Sequence, residues 1–110
     1  MKDPLSVVNQ ILSSYSKGDK INAYNKLKKI SLKYPNNEKL YFNLAVMEQD
    51  QGFYEKAKEN YKKLIKNFNN YNAKNKLYSL YLKNHEFANA INLINEILKE
   101  KKDQLVLLDK

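Results

Sequence analysis

Residues 41–61, YFNLAVMEQDQGFYEKAKENY, decide how this chain is read. Tyr41, Leu44, Ala45 and Met47 recur at helical spacing until Gly52 interrupts them, and Tyr54, Ala57 and Tyr61 then restart that spacing. Ala45 and Ala57 are small enough for two helices to approach closely. Gly52 is placed to end the first helix, because glycine adopts positive φ without the cost a Cβ imposes. The segment predicts a helical hairpin.

Working outward, the hairpin has relatives on both sides. Gly18 precedes Gly52 by 34 residues, and the same offset carries Ala23 to Ala57, Leu27 to Tyr61, Ile30 to Leu64, and Pro35-Asn36-Asn37 to Asn69-Asn70-Tyr71. A third copy follows with one residue lost in the connection: Phe87, Ala90, Ile94, Ile97 and Leu98 echo Tyr54, Ala57, Tyr61, Leu64 and Ile65. A fixed period of this size is the signature of a stacked repeat, in which each unit covers the apolar flank of the next.

Each copy divides into two helices. The first is expected to start with Asp3 as N-cap and Pro4 in the first helical position, where the missing N–H has no intrahelical partner to lose. Val7, Val8, Ile11, Leu12 and Tyr15 form its stripe; Ile21, Tyr24, Leu27, Ile30 and Tyr34 form the next, up to Pro35. The first turn, around Gly18-Asp19, reads as one residue short. Leu77, Tyr78, Tyr81 and Leu82, then Phe87, Ala90, Ile94, Ile97 and Leu98, supply the third pair, with His85 where a turn glycine is expected. After Asp103, Gln104-Leu105-Val106-Leu107-Leu108 reads as the opening of a seventh helix, capping or truncated, with room for self-association through this C-terminal helix face.

The middle copy resembles the tetratricopeptide repeat (TPR), whose signature sets an aromatic, Leu, a small residue, a Gly at the turn, Ala, an aromatic and a closing Pro at fixed spacings. Tyr41, Leu44, Ala45, Gly52, Tyr54, Ala57 and Tyr61 match, with Asn69 replacing the proline. The resemblance covers nearly the whole chain as one domain of approximate repeats 3–36, 37–70 and 71–103, followed by residues 104–110. It implies an all-α, right-handed α-solenoid of three TPR-like hairpins, six antiparallel helices with the start of a seventh. First helices would line a concave groove and second helices lie outside.

Composition agrees with helices and removes several classes of function. Gly and Pro number two each, and there is no Cys, which excludes disulfides, thiolate metal sites and cysteine nucleophiles. No apolar run approaches the roughly 20 residues that cross a bilayer, and the start of the chain lacks the pattern of a signal peptide. A cytoplasmic protein is expected. The charge of +8 comes wholly from Lys, without the Arg fork that reads guanine or clamps phosphate. Lys, Asn, Tyr and Ile share AT-rich codons, so codon bias accounts for the basic balance and nucleic acid is a disfavoured partner. Lys26, Lys28, Lys29, Lys33, Lys56, Lys58, Lys62, Lys63 and Lys66 form the outer face on which RNA, anionic lipid or an acidic protein would have to bind.

Catalysis finds little material. His85 is the lone histidine, in a Lys83-Asn84-His85-Glu86 turn where it reads as an exposed C-cap, and Glu55 with Glu59 sit among lysines as a solvated face. No phosphate loop or nucleophile triad is present. The reading is not an enzyme, with no cofactor and no metal. Protein or peptide, with an acidic one favoured, is the expected partner.

The resemblance also implies which residues face the groove. These are Asn9 and, less firmly placed, Ser13 from the first copy; Lys39, Phe42, Asn43, Val46 and Gln49 from the second; Asn72, Asn75, Lys76, Ser79 and Lys83 from the third. Amides can bond both backbone groups of an extended peptide and Lys attracts carboxylates. Chaperone-binding members of the family grip a C-terminal carboxylate with five residues, of which Asn43 and Lys76 match here. Val8 and Leu12, or Asn9 and Ser13, occupy the first-helix places, and Asn72 replaces a Lys, so the full clamp is not expected. The alternative reading is an N-terminal TPR arm, for targeting or oligomerisation, of a larger enzyme such as a glycosyl- or sulfotransferase.

Overall fold

The computed structural model of the chain describes residues 4–108, with side chains from 6 to 103. Among them are six α-helices and no strand: α1 (Pro4–Ser16), α2 (Lys20–Lys33), α3 (Glu38–Asp50), α4 (Tyr54–Phe68), α5 (Tyr71–Lys83) and α6 (Phe87–Leu108). Odd helices start at residues 4, 38 and 71 and even ones at 20, 54 and 87, a recurrence of 34 and then 33 residues. The fold is all-helical and repeat-like, with the residue lost before α5 as the spacing predicts. The N-cap expected of Asp3 lies outside the described residues.

The turns inside the three hairpins share one backbone. Gly18, Gly52 and His85 carry φ of 105°, 87° and 60°. The next N–H in each turn reaches back five residues: Asp19 donates to the Ser14 carbonyl at 3.1 Å, Phe53 to Glu48 at 2.8 Å and Glu86 to Tyr81 at 2.8 Å. An inner bond completes each cap, from Gly18 to Tyr15, Gly52 to Gln49 and His85 to Leu82. The first turn is therefore not a residue short. In all three, the new helix begins two residues after the left-handed position.

Asparagines start the first helices of the later pairs. Asn37 Oδ1 accepts from the Leu40 N–H at 3.0 Å, and Asn70 Oδ1 accepts from the Ala73 N–H at 2.8 Å, satisfying donors that have no intrahelical carbonyl. The seventh helix is overturned. Helix α6 runs unbroken from Phe87 to Leu108 through Asp103, since Leu98 to Lys102 hold no Gly, Pro or Asn, and Leu, Lys and Glu are strong helix formers.

The helices fall into two compact units, one ending at Asn60 and the other beginning at Tyr61, inside α4. In the first, α2 packs on α1 and on α3. Its core holds Val8, Ile11, Ala23, Tyr24, Leu27, Leu40, Leu44 and Met47. Leu27 is fully buried, a contribution of roughly 1.5–3 kcal/mol from area removed from water. Of the expected α2 stripe, Tyr24 and Leu27 are buried and Ile30 packs against the core, but its ends differ: Ile21 is 70% exposed and Tyr34 is exposed, while Ala23 and Ser31 complete the inward face.

In the second unit α5 packs on α6. Buried here are Tyr61, Leu64, Ala73, Leu77, Leu80, Tyr81, Ala90, Leu93 and Ile97. Leu80 and Leu93 replace Leu82, Phe87 and Leu98, which were expected inside and are exposed. Periodicity fixed the element but not which of two adjacent apolar residues turns inward.

Candidate functional site

The residues expected to contact a partner lie on one face of α3 and one face of α5. On α3, Lys39, Phe42, Asn43 and Val46 follow the i, i+3, i+4, i+7 pattern, opposite Leu40, Leu44 and Met47, which point into the core. Lys39 is exposed, while Phe42, Asn43, Val46 and Gln49 are half-buried. The Nδ2 of Asn43 is shielded from solvent and has no hydrogen-bond partner among the described residues. Such a donor carries a penalty of about 1–3 kcal/mol until an acceptor reaches it. Asn9 and Ser13 stand exposed on α1.

On α5 the corresponding face is entirely exposed: Asn72, Asn75, Lys76, Ser79 and Lys83. This helix contains Lys74, Lys76 and Lys83 and no carboxylate. Sequence reasoning missed the group at its start. The Tyr71 phenol is held below its ordinary value of 10, first by hydrogen bonding from Lys101 and further by the Lys101 charge and by Asn75. The Lys101 ammonium lies 5.4 Å from the ring centre. The i, i+4 spacing of Tyr71 and Asn75 was a legible signal; Lys101, a helix away, was not. Asn75 is thus partly engaged on its own helix, leaving Asn72, Lys76 and Ser79 as the outward polar row.

Two polar clusters in the first unit were also unforeseen. Glu48 is buried at 3% exposure, where Oε2 accepts from the Tyr24 hydroxyl at 2.7 Å and Oε1 from the Asn60 amide at 2.5 Å. Burial, then the Glu48 bond and charge, push the Tyr24 phenol up from its ordinary 10. At the surface, Asp50 accepts from the Tyr15 hydroxyl and from Lys20 at 3.1 Å, tying the end of α1 to the start of α2 and the end of α3. Tyr15 is pushed up to about 12 by burial and by Asp50, whose carboxyl is lowered chiefly by the Tyr15 bond and then by Lys20. Both clusters join helices of one unit.

The remaining candidates are placed as follows. His85 is exposed one residue beyond the Asn84 C-cap, its ring edge-on to Phe87 at 5.6 Å. Glu55 and Glu59 are exposed. Lys58, assigned to the outer basic face, is instead buried at 6% exposure with its ammonium 3.0 Å from Glu55. Among the described residues no three His, Cys, Asp or Glu side chains gather as metal ligands, and no helix is long and apolar enough to cross a membrane. No model of a known protein family matches the chain, and no curated protein sequence matches it.

Proposed function

We propose that the chain is a non-catalytic, TPR-like interaction module that binds an extended peptide or protein segment through its first helices. The shared positive φ and hydrogen-bond pattern of the turns at Gly18, Gly52 and His85 support the repeat reading, since a hairpin array requires the same reversal in each copy. The observation that carries the function is the chemistry of the α3 and α5 faces. On α3 an unmatched amide, Asn43, lies between the half-buried Phe42 and Val46, beside the exposed Lys39. On α5 amides and ammonium groups stand in a row without a carboxylate. On α3, Phe42 and Val46 offer apolar contact, Asn43 bonds a peptide backbone and Lys39 attracts an acidic group; on α5, Asn72 bonds a peptide backbone and Lys76 attracts an acidic side chain or a C-terminal carboxylate. The site commits no group to bond making or breaking, and a cytoplasmic scaffold or adaptor is the role that fits it.

Calorimetric titration with extended acidic peptides, each with a free or an amidated C-terminus, tests this reading. Asn43→Ala combined with Lys76→Ala is expected to weaken binding by about tenfold or more, two polar contacts being worth about 1 kcal/mol each. The same Asn43→Ala change is expected to leave stability unchanged or raise it slightly, because it removes an unmatched buried donor. Affinities indifferent to both substitutions would remove the α3 and α5 faces from the account.

A further inference from the structure

A second surface of the first unit is built for a different occupant. Between α1 and α2 runs a cleft of about 350 Å³ whose floor is Val7, Ile11, Ala23 and Ile30. One wall is a row of ammonium groups, Lys26, Lys29 and Lys33, all exposed and without a carboxylate partner among the described residues. Asp19, at one end, is the cleft's own acid. None of the residues assigned to peptide binding on α3 and α5 lines it.

The shape calls for a helix. Val7 with Ile11, Lys26 with Ile30, and Lys29 with Lys33 are i, i+4 pairs, so both walls are ridges of the kind into which another helix fits its own side chains. On its other flank α2 already receives a helix, α3. The charge selects the chemistry. Helix α2 carries Lys20, Lys26, Lys28, Lys29 and Lys33 and no acid, and of these Lys20 is neutralised by Asp50. An apolar floor beside unpaired ammonium groups matches a helix with one apolar stripe flanked by Asp or Glu. A second copy of this chain, itself at +8, meets like charge there. Nucleic acid finds neither an aromatic platform nor Arg in the cleft, and a flat lipid surface does not fill a trough.

We propose that the α1–α2 cleft is a docking site for an acidic amphipathic helix of a partner protein. The apolar stripe of that helix sits on Val7 and Ile30, and its carboxylates pair with Lys26, Lys29 and Lys33.

The probe is a helix-stabilised peptide of about four turns, with Leu on one stripe and Glu elsewhere, set against a twin with Lys in place of Glu. Binding is read by fluorescence polarisation and by amide shifts in nuclear magnetic resonance. The Glu peptide is expected to bind and to shift Val7, Ile11, Ala23 and Ile30, and the Lys twin is expected not to bind. Reversing the row together, Lys26→Glu, Lys29→Glu and Lys33→Glu, should weaken binding by about tenfold or more. The milder set Lys26→Ala, Lys29→Ala and Lys33→Ala should do so less steeply, and guards against any loss of helix in the reversal. Asn43→Ala with Lys76→Ala should leave this binding intact, which separates it from peptide capture on α3 and α5. Equal binding of the two peptides, indifference to both lysine sets, or retention only on phosphatidylserine vesicles or RNA would overturn the proposal.

Discussion

Each unit is stitched by a buried charge, but the first uses a carboxylate held by neutral donors and the second an ammonium held by a counter-charge. Glu48, 3% exposed, accepts from Tyr24 and Asn60 and so ties α2, α3 and α4. Lys74, 2% exposed, donates to Glu100 at 2.5 Å and ties α5 to α6. Glu100 itself is 46% exposed in its side chain. A buried ion held by neutral groups survives the loss of one donor, because the other remains. A buried ion with one counter-charge has no second partner to fall back on.

The largest effect should follow from removing Glu100, the one counter-charge of Lys74 among the described residues. Glu100→Ala leaves the Lys74 ammonium desolvated and unpaired, a loss of about 3 kcal/mol in urea unfolding. The value sits at the low end for a buried pair because half of Glu100 is open to water. Replacing both partners, Lys74→Met with Glu100→Ala, should recover most of the loss, as apolar substitution of an ion pair often does. A Glu100→Ala protein as stable as the parent would show that Lys74 is not truly dry.

The first unit should respond less. Tyr24→Phe removes one of two donors to Glu48 while keeping the ring in the core, at a cost of about 2 kcal/mol near neutral pH. The sign of its pH dependence is fixed by the raised phenol. A folded value above the unfolded 10 means the stabilisation is complete below pH 10 and lost as pH climbs through the higher folded value. The gap between parent and Tyr24→Phe should therefore close in alkali, and a gap that stayed constant to high pH would break the assignment.

These polar ties mark where sequence reasoning ran out. Lys58 reads from the sequence as an outer-face lysine, since charged residues are rarely buried unless paired, and nothing in the sequence marks Glu48 or Lys74 as buried. For Glu48 and Lys74 the partner lies on another helix, and period within one helix carries no such information. Ile21 and Leu82 failed for a related reason: each stands near another residue able to take the inward place, and packing chose Ala23 and Leu80 beside the expected Tyr24 and Tyr81. What was legible depended on local backbone need. The turns at Gly18 and Gly52 are dictated by glycine's own conformational freedom, whereas the side-chain caps at Asn37 and Asn70 went unassigned. The α1–α2 cleft was not legible, because its lysines had been read only as part of a scattered basic face.

The smallest contrast is between turns of the two units, and it tests whether geometry or residue type repeats. Gly52 and His85 occupy equivalent left-handed positions, at φ of 87° and 60°. A Cβ built on Gly52 meets nothing within 4 Å, so Gly52→Ala introduces conformational strain and no clash. Its cost should be about 1 kcal/mol. His85→Gly works in the opposite sense on two terms that nearly cancel. Relief of left-handed strain gains about 1 kcal/mol, and the freer unfolded chain gives back about 0.4–1 kcal/mol. Loss of the edge contact with Phe87 takes a little more. The net change at His85 should thus stay within about 0.5 kcal/mol, read as a shift in thermal midpoint beside that of Gly52→Ala. Equal destabilisation by the two substitutions would mean that the His85 side chain, and not its backbone conformation, holds the third turn closed.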